Sequence, residues 1–173
     1  ALRPKVVGFT TSTNQLMPSL WLARLVKRAD PSIRIVFGGA CCANPMGAQL
    51  KESYAQIDAV VSGYAESALV ELMAGRGWGS TVEGAAEVVM DELPIPDYSV
   101  FVAAARETVG DYGYRLQFES SRGCWWGEKN HCTFCGLNQD EMKFRRKSVE
   151  RVVSEVRRLW DQHGRDLFST DTI

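Results

Sequence analysis

The feature that most constrains the fold is an alternation of short apolar runs and helix-length segments in the first half of the chain. The apolar runs are Lys5–Thr10, Ile33–Phe37 and Asp58–Ser62. Helical patterns follow them at 16–31, 45–54 and 66–73. Pro18 stands near the first turn of the first helix, where a missing N–H costs little. Because strands and helices that alternate at this pace imply crossover connections, the sequence predicts an α/β fold with a parallel sheet.

The second half is predicted to be a separate β-loop-α-β unit. Asp91–Tyr98 carries two prolines, which restrict their own and the preceding backbone, and so predicts an extended linker. Arg115–Glu119 is the next strand. A helix capped by Ser148 and ended by Gly164 carries an apolar stripe, and Asp166–Ile173 starts another strand. The predicted boundaries are a first domain at 1–90, a linker at 91–113 and a second domain at 114–173.

Composition and charge argue against several partners and compartments. The 173 residues carry a net charge of −1, with 45% hydrophobic and 24% charged residues. This balance gives no reason to expect nucleic acid or a membrane surface as a partner, and no apolar run approaches the ~18 residues of a membrane span. Five cysteines without a secretory segment argue against a disulfide framework and for a cytoplasmic protein. Since the chain starts at Ala1 without methionine and stops within a predicted strand, we expect it to be a fragment.

Three of the five cysteines lie in one loop with the spacing C-x7-C-x2-C. They are Cys124, Cys132 and Cys135, within the stretch SSRGCWWGEKNHCTFCGL at 120–137. Clustered thiolates are soft ligands for zinc or for iron–sulfur clusters. A structural zinc site needs a fourth protein ligand, and His131 directly precedes Cys132, where convergence on one ion is strained. Three thiolates without a fourth fit a cubane cluster whose last iron is open to another ligand. Zinc with His131 and three unconnected thiols are the alternatives.

The loop resembles that of the radical S-adenosylmethionine enzymes. It follows a predicted strand, and an aromatic residue directly precedes its last cysteine, in the order Cys-Thr-Phe-Cys. The resemblance implies that Cys124, Cys132 and Cys135 bind a [4Fe–4S] cluster, that S-adenosylmethionine chelates the open iron, and that Phe134 contacts the adenine. The first gap departs from the commoner C-x3-C-x2-C spacing. The longer gap matches a subgroup whose loops have the sequence RGCWWG…HCTFCGLN. Members of this subgroup mature ribosomally made peptides (RiPPs), and many of them are methyltransferases.

The same resemblance implies that the first half is a cobalamin-binding, Rossmann-like domain that is incomplete at its N-terminus. The second half would then be the first β-α-β of a radical S-adenosylmethionine (β/α) barrel. Ligands of open α/β sheets bind beyond the carboxyl ends of the strands. The predicted cobalamin contacts there are Thr10, Thr11, Ser12, Gly38, Gly39, Ala40, Gly63, Tyr64 and Glu66. The first half contains no histidine, so a bound cobalamin would lack a protein imidazole ligand. Without the resemblance, a generic nucleotide-binding or empty fold is the alternative.

The function that the resemblance implies is cobalamin-dependent C-methylation of a ribosomally made peptide. Its partners would be a precursor peptide and an external electron donor, and its cofactors the [4Fe–4S] cluster, S-adenosylmethionine and cobalamin. Ser169 and Asp171 are predicted to bind the amino group of S-adenosylmethionine, although Asp171 could instead begin a turn. Non-methylating chemistry, such as cyclisation or epimerisation, and a zinc-stabilised binding module without catalysis are the rival functions. The sequence identifies neither a catalytic residue nor the substrate.

Four further residues are predicted to have packing roles. Cys41 and Cys42 follow the second strand and are interpreted as small buried residues. Trp125 and Trp126 are interpreted as packing residues that shield the cluster.

Overall fold

A computed structural model describes the protein over residues 3–85, 88–110, 113–135 and 142–171. The chain divides into two compact units, Ala1–Val88 and Val89–Ile173. Residues 172 and 173 of the predicted last strand, and residues 136 and 137 of the cysteine motif, lie outside the described residues.

The first unit is built on a four-stranded parallel sheet. Its strands, in spatial order, are β1 (Val6–Thr10), β2 (Arg34–Gly38), β3 (Ala59–Ser62) and β4 (Thr81–Glu83). Every pair of neighbours is parallel, with Phe9 opposite Phe37 and Phe37 opposite Val60. The predicted α/β fold with a parallel sheet is therefore confirmed. The fourth strand was not predicted, because three residues after a glycine-rich stretch give no readable alternation.

Three helices connect and cover these strands. They are α1 (Thr13–Ala29), α2 (Met46–Ser53) and α3 (Glu66–Met73). The first helix begins earlier than predicted, because Gln15 Oε1 accepts hydrogen bonds from both the N–H and the hydroxyl of Ser12 at 3.0 and 2.9 Å. The prediction that Pro18 lies near the first turn is consequently wrong, and Pro18 lies inside α1.

The alternation of side chains along the strands produces an apolar core on each face of the sheet. Ile35 and Phe37 pack with residues of α1 and α2 on one face. Val36, between them in sequence, packs on the opposite face with Ala68 and Leu72 of α3. A sheet buried on both faces explains why its strands are continuous apolar runs.

The second unit contains a β-α-β element with a small antiparallel ribbon beside it. Its elements are α4 (Ser99–Thr108), β5 (Leu116–Phe118), β6 (Ser121–Arg122), β7 (Arg145–Arg146), α5 (Val149–His163) and β8 (Leu167–Ser169). The strands β5 and β8 pair in parallel on either side of α5 in sequence, as predicted for this half, whereas β6 and β7 pair antiparallel. Two parallel strands do not establish a barrel, so the barrel stays a prediction. The predicted helix boundaries are confirmed, since Ser148 Oγ accepts from Arg151 N and Gly164 is left-handed.

The segment predicted as a linker is attached to the second unit. Asp91 accepts a hydrogen bond from Ser148 N at 2.7 Å, and Leu93 O accepts one from the Arg151 guanidinium. The Tyr98 hydroxyl donates to Gln117 O at 2.7 Å. The segment also contains α4, which was not predicted. Asp91–Tyr98 is therefore bonded along its length to the β-α-β element.

A buried ion pair anchors the start of α5. Lys147 Nζ lies 2.7 Å from Glu155 Oε2, and the two side chains are only 3% and 1% exposed. Lys147 also donates its backbone N–H to Ser120 O at 2.8 Å. The pair therefore connects the helix to the end of β5, from which the cysteine loop starts.

We predict that Glu155→Gln lowers the free energy of unfolding by about 3–5 kcal/mol, because it leaves the Lys147 ammonium buried without its counter-charge. Lys147→Met combined with Glu155→Leu should recover most of this loss, since the buried charge is removed as well. Urea denaturation would measure both variants. The exposed pair Glu71–Arg76 is the matched control, and Glu71→Gln should change the stability little. Equal losses of unfolding free energy for Glu155→Gln and Glu71→Gln would contradict the inference that the buried Lys147 ammonium depends on Glu155.

Candidate functional site

The predicted cobalamin contacts of the first unit lie along one edge of its sheet. Since β1, β2 and β3 are parallel neighbours, their carboxyl ends meet at that edge, as predicted. Thr10 and Gly38 are paired as the last residues of β1 and β2. Gly63 follows β3 directly. The edge therefore gathers residues that are far apart in sequence.

A cleft of about 300 Å³ opens at this edge, on the face that carries α3. Three of the predicted residues line it, namely Thr10, Gly38 and Gly39. Its other lining residues are Gly8, Phe9, Val36, Phe37, Val61, Ala65 and Leu69. The volume is at the lower end of the range for small-ligand cavities, so a macrocycle would rest on this edge rather than be enclosed by it. The apolar lining residues were missed, because alternation identifies buried strands without showing which part of a face stays open.

The hydroxyl of Thr11 stabilises the edge from inside. Thr11 is 1% exposed, and its Oγ1 and N both donate to Gly38 O, at 2.9 and 2.7 Å. Its own carbonyl accepts from Cys41 N at 3.1 Å. These bonds connect the ends of β1 and β2. Ser12, whose hydroxyl donates to Gln15, likewise has a local role at the start of α1.

Gly39 is required by the backbone at the centre of this edge. Its φ is +94°, and a Cβ at this position would lie 2.7 Å from both the N and the O of Thr11. Only glycine therefore fits here, because the Thr11 backbone occupies the space that a side chain would need, and Gly39 also lines the cleft. Ala40, Gly63, Tyr64 and Glu66 surround the edge but are not among the described residues that line the cleft.

The three motif cysteines lie in one loop of the second unit. Cys124 donates its N–H to Met142 O at 3.1 Å and its Sγ accepts from Gly127 N at 3.3 Å. Cys135 N donates to Cys132 O at 3.1 Å, so this pair forms a tight turn. None of the three thiols is in a disulfide, and each is partly exposed. Within the described ranges, no group of three or more His, Cys, Asp or Glu side chains is arranged to bind a metal ion. The three cysteines thus do not form such a group in this structure, and the convergence of their sulfurs on a cluster stays a prediction.

The base of the loop is closed by close backbone packing. The antiparallel pair β6–β7 joins Ser121 to Arg146 and Arg122 to Arg145. Gly123 follows with a φ of +79°, and a Cβ there would lie 2.2 Å from Lys143 O. Cys124 therefore follows a closely packed base, whereas the other two cysteines lie further along the loop.

The aromatic residues of the loop are exposed. The Phe134 ring, predicted to contact adenine, is 90% exposed. Trp125 and Trp126 form an edge-to-face pair with ring centroids 6.0 Å apart, and both are about half exposed. The structure therefore leaves these rings available to a ligand or to another part of the protein.

Cys41 and Cys42 are buried, as predicted. Burial raises the pKa of the Cys42 thiol, although the Thr11 hydroxyl lies 3.5 Å from its sulfur. A buried thiol with a raised pKa is inert.

Asp171 lies beside the start of the cysteine loop. Its carboxylate accepts hydrogen bonds from Ser120 N at 2.6 Å and Ser121 N at 2.8 Å. It also accepts from the hydroxyls of Ser120 and Ser169. Burial would raise the pKa of this carboxyl, but the combined hydrogen bonds outweigh burial and lower it. Asp171 is therefore an ionised acceptor whose donors lie mainly at the end of β5.

Parts of the chain are similar to known proteins. Residues 1–73 match the family model described as the B12 binding domain. The match covers β1 to α3 and supports the predicted cobalamin as a ligand of this unit. A second similarity is to cytidylyl-2-hydroxyethylphosphonate methyltransferase from Streptomyces wedmorensis, at 37% identity over 87 residues. The similar segment covers 46% of this chain and only 16% of the length of that relative.

Among the helices that the structure describes, none is long and apolar enough to span a membrane.

We predict that Gly39→Ala destabilises the first unit by about 1–3 kcal/mol, because it forces a side chain into a left-handed backbone against Thr11. Gly38→Ala is the matched control, since its Cβ would meet its nearest atom at 3.9 Å. It should therefore keep most of the stability. Thermal unfolding of both variants measures the difference, and an equal effect would show that the Gly39 turn is not required.

Proposed function

We propose that the chain is part of a cobalamin-dependent radical S-adenosylmethionine enzyme that methylates an unactivated carbon of a ribosomally made peptide. The observation that carries the proposal is a B12-binding match over a parallel sheet, combined with a C-x7-C-x2-C loop in the same chain. The similarity to a protein named as a methyltransferase supports methyl transfer as the reaction class.

The residues at the carboxyl edge of the first sheet fit a corrinoid. Gly38 and Gly39 expose backbone to a flat ring, and the apolar cleft beside them would exclude water. The exposed Thr10 hydroxyl could bond an amide side chain of the ligand. When bound, cobalamin would supply a transferable methyl group. The chain has no histidine before His131, so this half offers no imidazole to the cobalt.

The donor set of the cysteine loop fits an iron–sulfur cluster. Three partly exposed thiols lie within a short loop, and soft thiolates are the ligands that such clusters require. Cys124, Cys132 and Cys135 would hold the cluster, which would supply the electron that activates S-adenosylmethionine. Phe134 presents an open ring face on which an adenine could stack, and Ser169 is a polar candidate at the end of β8.

The precursor peptide and the external electron donor are proposed from the resemblance of the loop. Cyclisation or epimerisation would use the same cofactors without transferring a methyl group. Product analysis with a candidate peptide therefore separates them from methylation.

We predict that the purified full-length protein binds cobalamin in its base-off form, because the first half has no histidine to coordinate cobalt. The absorption spectrum of bound hydroxocobalamin should show the base-off shift. Failure to retain any corrinoid after gel filtration would contradict the proposed site.

We predict that anaerobic reconstitution loads iron and sulfide, and that Cys→Ala at position 124, 132 or 135 reduces the iron to background. Cys41→Ala and Cys42→Ala are the matched controls and should retain wild-type iron, since these thiols are buried in the other unit. Iron analysis and broad visible absorption measure the result. Colourless protein that binds zinc would favour the zinc module instead.

A further inference from the structure

We propose that Asp171 is a positioning residue of the cysteine loop. In this assignment its carboxylate fixes Ser120 and Ser121, where the loop starts, instead of binding the ammonium group of S-adenosylmethionine. The inference rests on the proposed function for the purpose of the loop. The contacts that carry it lie entirely within the described part of the second unit.

The acceptor sites of Asp171 are already occupied. An ionised carboxylate has about four lone-pair sites. Oδ1 accepts from the backbone N–H groups of Ser120 and Ser121, and Oδ2 accepts from the hydroxyls of Ser120 and Ser169. Four donors fill these sites. An ammonium group could bind only by displacing one of the four.

The parallel pair β5–β8 places Asp171 beside the start of the loop. Phe118, the last residue of β5, is paired with Ser169, and Thr170 N continues the ladder to Phe118 O at 3.0 Å. The ladder therefore brings Asp171 opposite the chain just after β5, at Ser120 and Ser121. The N–H groups of these two residues donate to its carboxylate, which is a strong acceptor for backbone N–H groups.

The backbone at Ser120 is also bonded to the start of α5. Ser120 O accepts from Lys147 N at 2.8 Å, and Lys147 is part of the buried pair with Glu155. Ser121 then begins the β6–β7 ribbon, and Cys124 follows Gly123 directly. Asp171 thus supplies one of the attachments that hold the backbone before Cys124.

Two substitutions at Asp171 separate positioning from ligand contact. Asp171→Ala removes all four acceptor bonds. Asp171→Asn keeps one oxygen for the two amides, and its NH₂ group can donate to the serine hydroxyls, which also accept. The asparagine therefore preserves the attachment but loses the negative charge that an ammonium contact needs. Asp97→Ala is the matched control in the same unit, because Asp97 also accepts from a backbone N–H, that of Ser99 at 2.9 Å.

The experiment measures three quantities in the full-length protein. They are amide hydrogen exchange over residues 118–124 without cofactors, iron retained after anaerobic reconstitution, and affinity for S-adenosylmethionine per bound cluster. For Asp171→Ala we expect exchange at Ser120 and Ser121 to rise by about tenfold or more, because charge-assisted bonds to these amides are lost. We also expect this variant to retain less iron. Asp171→Asn and Asp97→Ala should stay near wild type in all three quantities.

The opposite pattern overturns the proposal. If Asp171→Ala leaves exchange and iron unchanged, Asp171 does not position the loop. If Asp171→Asn keeps its iron but loses affinity for S-adenosylmethionine, Asp171 is a ligand contact. Wild-type protein that binds no iron would refute the proposed function. The exchange measurement, which needs no cofactor, would then decide the positioning role by itself.

Discussion

Parallel pairing of strands that are joined through a helix is the constraint on which both units depend. In the first unit it brings the ends of β1 and β2 together, so that Thr10 and Gly38 lie side by side. In the second unit it aligns β8 with β5, and Asp171 thereby reaches the start of the cysteine loop. In each case, residues distant in sequence form one edge because the strands run in the same direction.

The two edges are stabilised by different chemistry. At the first edge the Thr11 hydroxyl and amide both donate to Gly38 O, and Gly39 leaves room for the Thr11 backbone to pack against it. The result is an apolar cleft with accessible backbone, which suits a large flat ligand. At the second edge the Asp171 carboxylate bonds the amides of Ser120 and Ser121. The result is a fixed base for a loop whose remaining part carries two more cysteines.

Much of this architecture could be predicted from the sequence because long apolar patterns and helix caps are local signals. The strands at Val6, Arg34 and Ala59 and the helix between Ser148 and Gly164 were found in this way. The short strands β4, β6 and β7 were not, since two or three residues carry no period. The hydrogen bonds of Thr11 and Asp171 were also inaccessible from the sequence. A polar residue after a strand is typical of a ligand contact, and only the fold shows that its hydrogen bonds go to the neighbouring backbone. The B12-binding match supports the cobalamin prediction, whereas the prediction of an iron–sulfur cluster depends on the sequence of the cysteine motif.

The central claim is that one chain combines a corrinoid edge with a cluster loop that acts on S-adenosylmethionine. Its most direct test is to incubate the anaerobically reconstituted full-length protein with a reductant and methyl-labelled S-adenosylmethionine. We predict that 5′-deoxyadenosine is released and that the label appears on the bound corrinoid, with both depending on Cys124, Cys132 and Cys135. Intact S-adenosylmethionine and an unlabelled corrinoid, in protein that contains both iron and cobalamin, would contradict the account.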